Sequence, residues 1–306
     1  MGPAALRAEL AALVPRLPEG LRLGTSSWSF PGWQDIVYDR HVSEEILARA
    51  GLAAYASHPL LRTVSVDRAF YRPLDLDQLR AYAAAVPADF RFLVKADRML
   101  TSPLDPRDDT KRAPNPRFLD ARYASELTAS LLEGLGRKLG GVILQFPPIP
   151  PNLVGGRDRF LDRLGDFLAS IPRTCLHAVE LRTPTFLSDR YAEVLQAIGV
   201  AHCYNVHPSM APMARQLAVI RPFHQPALVV RWMLGRSQAY AEAKRRYDPF
   251  DRIVDEDPST RELIARTVLD ASLAERPAFV IANNKAEGCA PLTVFRLAER
   301  IATWHP

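Results

Sequence analysis

Short apolar runs recur at intervals along the chain, and each is followed by a polar or proline-rich loop and then by a segment with helical periodicity. This alternation is typical of repeated β-strand and α-helix units. Runs such as 142–144 and 279–281 contain no alternating polar residues, which predicts strands that are covered on both faces, as in a parallel sheet. The predicted strands are residues 21–25, 61–66, 90–96, 141–146, 175–181, 200–206, 227–232 and 278–283.

Eight such units predict an α/β fold, namely a single (β/α)8 barrel of the TIM type with an N-terminal helix within residues 1–18. A doubly wound open sheet is the main alternative. No linker and no change of composition divides the chain, so we expect one domain over residues 1–306.

Two connections are too long to be simple links between elements. They are residues 98–116, after the third strand, and residues 235–258, after the seventh. In a barrel, loops that follow strands overhang the mouth where active sites are built, and long loops there often act as lids. Mobile surface without a function is the alternative interpretation.

Composition agrees with an ordinary folded protein. The 306 residues are 48% hydrophobic and 24% charged, which excludes a largely disordered chain and a small disulfide-stapled scaffold. No apolar run approaches the length of a membrane span, and mean hydropathy is -0.09, so we expect no membrane insertion. Residues 1–17 lack a basic flank followed by an apolar stretch, which favours a cytoplasmic protein over an exported one.

The cysteines and the net charge give little information about function. The three cysteines are far apart and form no Cys-x-x-Cys pair, so the sequence indicates neither a disulfide framework nor a cysteine zinc site. The net charge of +5 is spread along the chain and is weak evidence for a nucleic-acid partner. The sequence does not indicate a cofactor or an oligomeric state.

Polar or charged residues follow nearly every predicted strand. A barrel would direct them inward or upward at one rim, so they should converge on one site. Charges buried there must pair with one another, with water or with a ligand. The strand-end residues are Thr25, Ser26, Trp28, Asp67, Tyr71, Lys95, Gln145, Glu180, Arg182, Asn205, His207, Arg231, Asn283 and Asn284.

Within this set, Glu180 and Arg182 are two residues apart on one strand and therefore share a face. Glu180 is the candidate general acid or base, and Lys95 is the second candidate catalytic residue. Lys95 and Arg231 could hold an anion or a developing negative charge. The alternative is an internal ion-pair network that only stabilises the top of the barrel.

The remaining strand-end residues are candidates for substrate binding. Aromatic side chains such as Trp28 and Tyr71 could form flat walls for a sugar ring or a base, although such residues are more often core. Cys203 and His207 share a face, but zinc-like sites need three or four convergent ligands, so we predict no metal site. The substrate-binding candidates are Trp28, Asp67, Tyr71, Gln145, Arg182, Asn205, Arg231, Asn283 and Asn284.

Common sequence motifs for nucleotide binding, for nucleophilic serine and for zinc proteases are absent. Other motifs are present in order along the chain, at residues 23–28, 70–73, 92–96, 144–148, 179–182, 230–231 and 283–284, with Trp33, Tyr38, Gly288 and Ala290. In these segments the chain resembles the domain-of-unknown-function 72 family, also called YecE-like proteins, from about the first strand to the last helix. That resemblance implies a TIM barrel and a site at its mouth, but no established reaction.

The chain departs from the pattern that the resemblance implies at two single positions and in one short segment. Ser65 replaces a glutamate usual in the second strand, and Ser102 replaces a histidine usual after the third. The seventh strand is followed by Met233, Leu234 and Gly235 and lacks the usual histidine and glycine pattern. If the chemistry of the family needs those groups, this chain has altered or lost it, and Glu180 is the only matched acid.

Three hypotheses about function follow. The first is an enzyme that acts on a small polar molecule, anionic or carbohydrate-like, at the mouth of the barrel, with Glu180 moving a proton and the cations positioning charge. The second is metal-assisted processing or binding of nucleic acid, by analogy with repair barrels. The third is a barrel that binds a ligand without catalysis.

Overall fold

The computed structural model describes residues 3–110, 112–235 and 240–304. In this part of the chain, parallel strands close into an eight-stranded barrel in sequence order, and the last strand is hydrogen-bonded to the first. The predicted barrel is thereby confirmed and the open sheet is excluded. The strands are β1 Leu21–Thr25, β2 Leu61–Val66, β3 Arg91–Lys95, β4 Leu139–Gln145, β5 His177–Glu180, β6 Ala201–Val206, β7 Leu228–Trp232 and β8 Ala278–Ala282.

Helices connect the strands and cover the outside of the barrel. Side chains of Asp120 and Ser188 accept backbone hydrogen bonds at the N-termini of two of them, as capping residues do. The described helices are α1 Pro3–Ala11, α2 Glu44–Ala50, α3 Leu52–Ala56, α4 Leu76–Ala84, α5 Arg98–Thr101, α6 Ala121–Leu135, α7 Arg157–Ser170, α8 Asp189–Ile198, α9 Met213–Val219, α10 Tyr240–Tyr247, α11 Pro258–Leu273 and α12 Ala290–Ala302.

The strands are apolar on both faces, which explains the lack of polar alternation in the sequence. One set of side chains fills the centre of the barrel, and the opposite set packs against the helices in the larger core. The central set consists of Leu93, Ile143, Ala178, Ala201, Cys203, Val229, Phe279 and Ile281.

The first two strands approach closely, and glycine is required there. A Cβ atom at Gly24 would lie 1.9 Å from the carbonyl oxygen of Thr63, at the point where the β1–β2 register shifts. Beside this contact, the Tyr55 hydroxyl accepts a hydrogen bond from the backbone N–H of Thr25 at 3.0 Å and donates one to the Thr63 carbonyl at 2.9 Å. These contacts fix the carboxyl end of β1, from which the first strand-end residues extend.

Both long loops follow strands, as predicted. The segment 98–116 contains α5, and its Asp108 carboxylate accepts three backbone hydrogen bonds at 2.8 to 3.0 Å, from residues 110, 112 and 113. In the segment 235–258, residues 236–239 lie outside the described part, and α10 and the start of α11 follow. A role of either loop as a lid stays a prediction.

The helix predicted within residues 1–18 is present as α1, and a 3-10 turn at Val14–Arg16 follows it. Among the described residues, no helix combines the length and the apolar character that a bilayer span requires.

Candidate functional site

A cavity of about 490 Å³ opens at the carboxyl ends of the strands. Seven of the predicted site residues line it, so the strand-end pattern locates a real concavity. They are Asp67, Tyr71, Lys95, Gln145, Arg182, Arg231 and Asn283.

Beneath the cavity, Glu180 is fully buried and does not line it. Its Oε1 accepts a hydrogen bond from Nε of Arg182 at 2.7 Å, and its Oε2 accepts one from Nη1 of Arg231 at 2.7 Å. Burial alone would raise the pKa of this carboxyl, but the charges of Arg182 and Arg231 outweigh burial and lower the pKa to about 2. Glu180 is therefore a carboxylate held between two guanidinium groups.

Arg231 also joins a second carboxylate to the network. Its Nη2 donates to Oδ2 of Asp67 at 2.5 Å, and the Asp67 Oδ1 accepts a hydrogen bond from the Ser65 hydroxyl at 2.6 Å. Although burial disfavours the cation, Asp67 and Glu180 raise the pKa of Arg231 above its usual value. Ser65, one of the departures noted in the sequence, is thus part of the site: it orients the carboxylate that lines the cavity.

Lys95 differs from these arginines because it has no carboxylate partner. Within the described residues, its Nζ makes no hydrogen bond and no ion pair, and it lies 3.8 Å from the centre of the Phe70 ring. The side chain is 7% exposed, and burial lowers the pKa of Lys95 to about 8. This amine therefore faces the cavity unpaired and loses its proton more readily than an exposed lysine.

A second lysine, Lys285, lines the same cavity. The Nζ of Lys285 lies 4.5 Å from the centre of the Tyr240 ring, and the backbone N–H of Lys285 donates to Oδ1 of Asn283 at 2.9 Å. The Nδ2 of Asn283 donates to Oγ of Ser26 at 2.7 Å. Because of these contacts, the Asn283 amide links the ends of β8 and β1 at the rim.

The mouth carries an excess of positive charge. Of the described residues that line the cavity, four are cations, Lys95, Arg182, Arg231 and Lys285, and the carboxylates of Glu180 and Asp67 are paired with the two arginines. His207, which also lines the cavity, is neutral at pH 7, because burial and the charge of Arg182 lower its pKa to about 4. In the part of the chain that the structure describes, the charges of Lys95 and Lys285 therefore remain without a carboxylate partner, and such a cavity favours anions.

Three predicted binding residues do not line the cavity, and their side chains form hydrogen bonds with backbone groups of the barrel instead. Trp28 is buried, and its Nε1 donates to the Leu47 carbonyl at 3.2 Å. Asn205 donates to the Leu181 carbonyl at 3.1 Å, and Oδ1 of Asn284 accepts from the backbone N–H of Ala290 at 2.8 Å. These side chains form hydrogen bonds with backbone groups of loops and strands. The position of a residue at a strand end therefore did not by itself distinguish a ligand contact from an internal contact.

Some residues that line the cavity were not predicted. Lys285 follows Asn283 by two residues, and this spacing on the β8 loop could have indicated it. Tyr240 and Ser209 belong to connections without a sequence pattern, and only the folded chain brings them to the mouth.

No cluster of three or more histidine, cysteine, aspartate or glutamate side chains within residues 3–110, 112–235 and 240–304 has the geometry to hold a metal ion. Cys203, considered with His207 as a ligand from sequence, is buried in the centre of the barrel, 3.9 Å from Oε2 of Glu180. Burial raises the pKa of this thiol well above its usual value.

Fold and site together define the class of protein: a TIM-type barrel with a polar cationic cavity at the carboxyl ends of its strands. Residues 22–305 match the family described as "Protein of unknown function DUF72". The chain belongs to this family, which confirms the resemblance found in the sequence.

Solved structures of DUF72 family proteins share the fold. One from Thermotoga maritima is 20% identical, with a TM-score of 0.62 over 92% of this chain and 98% of that one. One from Enterococcus faecalis is 19% identical, with a TM-score of 0.61 over 92% of this chain and 95% of that one. Curated proteins give no significant match. The similarity establishes the fold and leaves the reaction to be argued from the site.

Proposed function

We propose that this protein is an enzyme that binds a small anionic molecule at the mouth of the barrel. The observation that supports the proposal is the charge of the cavity: within the described residues, Lys95 and Lys285 line it without a carboxylate partner, while Arg182 and Arg231 are paired with Glu180 and Asp67. Charged groups in a partly buried cavity are costly without partners, and an anionic ligand would supply the missing charge.

The volume of about 490 Å³ agrees with a ligand of metabolite size, since small-molecule sites usually enclose about 300 to 1,000 Å³. Gln145 and Asn283 offer amide groups to hydroxyl or carbonyl oxygens, which suits a carbohydrate-like portion of the ligand. Tyr71 is 68% exposed at the rim and could cover a flat part of the ligand.

In this proposal, Glu180 has a different role from proton transfer. Both of its oxygens already accept hydrogen bonds from arginines, and its carboxylate does not line the cavity. Glu180 instead positions Arg182 and Arg231, while Lys95 and Asp67 are the titratable groups that can reach a ligand.

Ligand binding by the intact protein tests the proposal. We would titrate a panel of sugar phosphates and small carboxylates by calorimetry, each beside its uncharged analogue, and assay any ligand found for turnover. Lys95→Gln should weaken binding at least about tenfold, since a charge-assisted hydrogen bond contributes roughly 1.5 to 3 kcal/mol. Arg276→Gln, which removes an exposed charge just before β8 at the opposite end of the barrel, should leave binding unchanged.

Equal binding of charged and uncharged analogues would refute the proposed anion site. Binding without turnover of any ligand would instead favour the non-catalytic barrel. Retention of an oligonucleotide on a filter that falls steeply with salt would favour the nucleic-acid hypothesis. The cytoplasmic location stays a prediction from the sequence.

A further inference from the structure

The chain uses lysine rarely, yet two lysines line the mouth. Of 39 basic residues only five are lysines, at positions 95, 111, 138, 244 and 285, and the rest are arginines. For holding an anion, arginine is at least as suitable, because its planar group donates several hydrogen bonds and stays charged. Lysine offers what arginine cannot, namely an amine that can lose its proton and act as a nucleophile.

The surroundings of Lys95 keep its amine free. Both oxygens of Glu180 accept hydrogen bonds from Arg182 and Arg231. The oxygens of Asp67 accept hydrogen bonds from Arg231 and Ser65. In the described chain, no carboxylate lies within ion-pair distance of the Lys95 Nζ. Lys95 nevertheless lines the cavity. Packing over the Phe70 ring, at 3.8 Å, limits where the amine can lie.

We infer that Lys95 is a catalytic nucleophile that forms an imine with the carbonyl group of a small anionic aldehyde or ketone, an inference that rests on the function proposed above. The neutral Nζ donates its electron pair to the carbonyl carbon, and the carbonyl oxygen takes up a proton. Nitrogen then loses a proton, which gives a carbinolamine. The hydroxyl group of the carbinolamine takes up a proton and leaves as water while the carbon–nitrogen double bond forms, and nitrogen loses its second proton to give the imine. Amine and carbonyl give imine and water, so no oxidant or reductant is needed.

The same cavity contains the other groups that this step requires. Arg182 and Lys285 can bind the carboxylate or phosphate of the substrate, since both line the cavity. Asp67 is the carboxylate among the described cavity-lining residues, and its Oδ1, which accepts from the uncharged Ser65 hydroxyl and not from an arginine, can exchange protons with the carbonyl oxygen and the departing water. The substrate class is therefore an oxo acid or a phosphorylated aldehyde or ketone.

The lowered pKa of Lys95 leaves part of its amine neutral, and therefore nucleophilic, near neutral pH. Burial has the largest effect on this pKa and lowers it. Of the charged neighbours, Asp67 and Glu180 favour the ammonium form, and Arg231 and Arg182 oppose it. With a pKa of about 8, roughly a quarter of the amine is neutral at pH 7.5, which is on the order of 200 times more than for an unperturbed lysine.

Reductive trapping tests the inference on the full chain. The protein is incubated with pyruvate, 2-oxoglutarate or glycolaldehyde phosphate, treated with sodium borohydride and digested for peptide mass spectrometry. We expect a mass increase equal to the probe less one oxygen atom, on the peptide that contains Lys95. Methyl pyruvate carries the same ketone as pyruvate without the charge, and it should react at least tenfold more slowly.

Two variants and a pH series separate chemistry from binding. Lys95→Arg keeps the charge and should lose the adduct while anion binding persists. Lys138→Arg should leave the adduct unchanged, because the Nζ of Lys138 donates to the carbonyls of Ala83 and Val86, away from the cavity. The initial trapping rate should rise with pH to half of its maximum near 8, because the amine becomes neutral above its pKa.

The outcomes separate this inference from the proposed function. Anion binding at the mouth with no adduct on Lys95 from any of the charged probes would overturn the inference and leave the proposed function intact. An adduct on Lys285 in place of Lys95 would also overturn it. Equal trapping of pyruvate and methyl pyruvate at Lys95 would support the nucleophile and refute the anion site.

Discussion

Replacing Glu180 by glutamine tests the buried ion network most directly. The substitution keeps the size and removes the charge, so Arg182 and Arg231 lose the carboxylate that they share. Breaking a buried pair by removing one partner costs about 3 to 5 kcal/mol. Lowering of the Glu180 pKa from 4.5 to about 2 gives a similar magnitude, about 3 kcal/mol at pH 7.

The pH dependence of this cost has a definite sign. The folded pKa of Glu180 lies below its unfolded value, so its contribution to stability is complete above the unfolded pKa and is lost as pH falls through the folded pKa. Between pH 7 and pH 3 the difference in unfolding free energy between the wild type and Glu180→Gln should fall from about 3 to about 1 kcal/mol.

Urea unfolding of both proteins at a series of pH values measures this difference. Glu133→Gln is the matched control, because Glu133 forms an exposed ion pair with Arg80 at 3.1 Å and its loss should cost no more than about 0.5 kcal/mol. A cost below about 1 kcal/mol for Glu180→Gln at pH 7, or a cost independent of pH, would refute the assignment of Glu180 as the shared anion of the network.

Three further substitutions test contacts of the barrel and its loops outside the ion network. Gly24→Ala should unfold or strongly destabilise the barrel in thermal melts, because its Cβ would lie 1.9 Å from the Thr63 carbonyl oxygen; a melting temperature like that of the wild type would contradict this contact. Tyr55→Phe should lower the unfolding free energy by about 1 to 3 kcal/mol, since the Thr25 N–H loses a buried acceptor, and a change below about 0.5 kcal/mol would argue against that bond. Asp108→Ala should speed amide exchange at residues 110, 112 and 113, whose backbone N–H groups donate to the carboxylate, while protection in the strands stays constant.

The barrel could be predicted because each strand corresponds to a short, continuous apolar run in the sequence. The runs 21–25 and 61–66 match β1 and β2 in full, and the other six predicted strands end within two residues of the observed ends. Burial on both faces makes such runs continuous, and loops and helices interrupt them, so the runs predicted the strands. The closure of the barrel, for which an open sheet was the alternative, was decided by the pairing of β1 with β8.

The site was only partly predictable, because partner choice depends on three-dimensional geometry. Sequence placed Glu180 and Arg182 on one face, but it could not show that Arg231, 51 residues away along the chain, would occupy the second oxygen of Glu180. The same holds for Trp28 and Asn284, whose side chains turn to backbone groups of other elements. Polar residues at strand ends therefore predict a site as a set, while each residue's role depends on its partners.

The charge of the mouth has a consequence for stability that links the fold to the proposed function. Among the described residues, Lys95 and Lys285 line the cavity without carboxylate partners beside two paired arginines, so the cations repel one another. An anion that binds the folded chain relieves this repulsion, and it stabilises the protein by RT ln(1 + [L]/Kd), about 2.7 kcal/mol at one hundred times Kd. A ligand of the proposed class should therefore raise the melting temperature of the wild type more than that of Lys95→Gln. An uncharged analogue should raise neither, because it offers no charge to the unpaired amines.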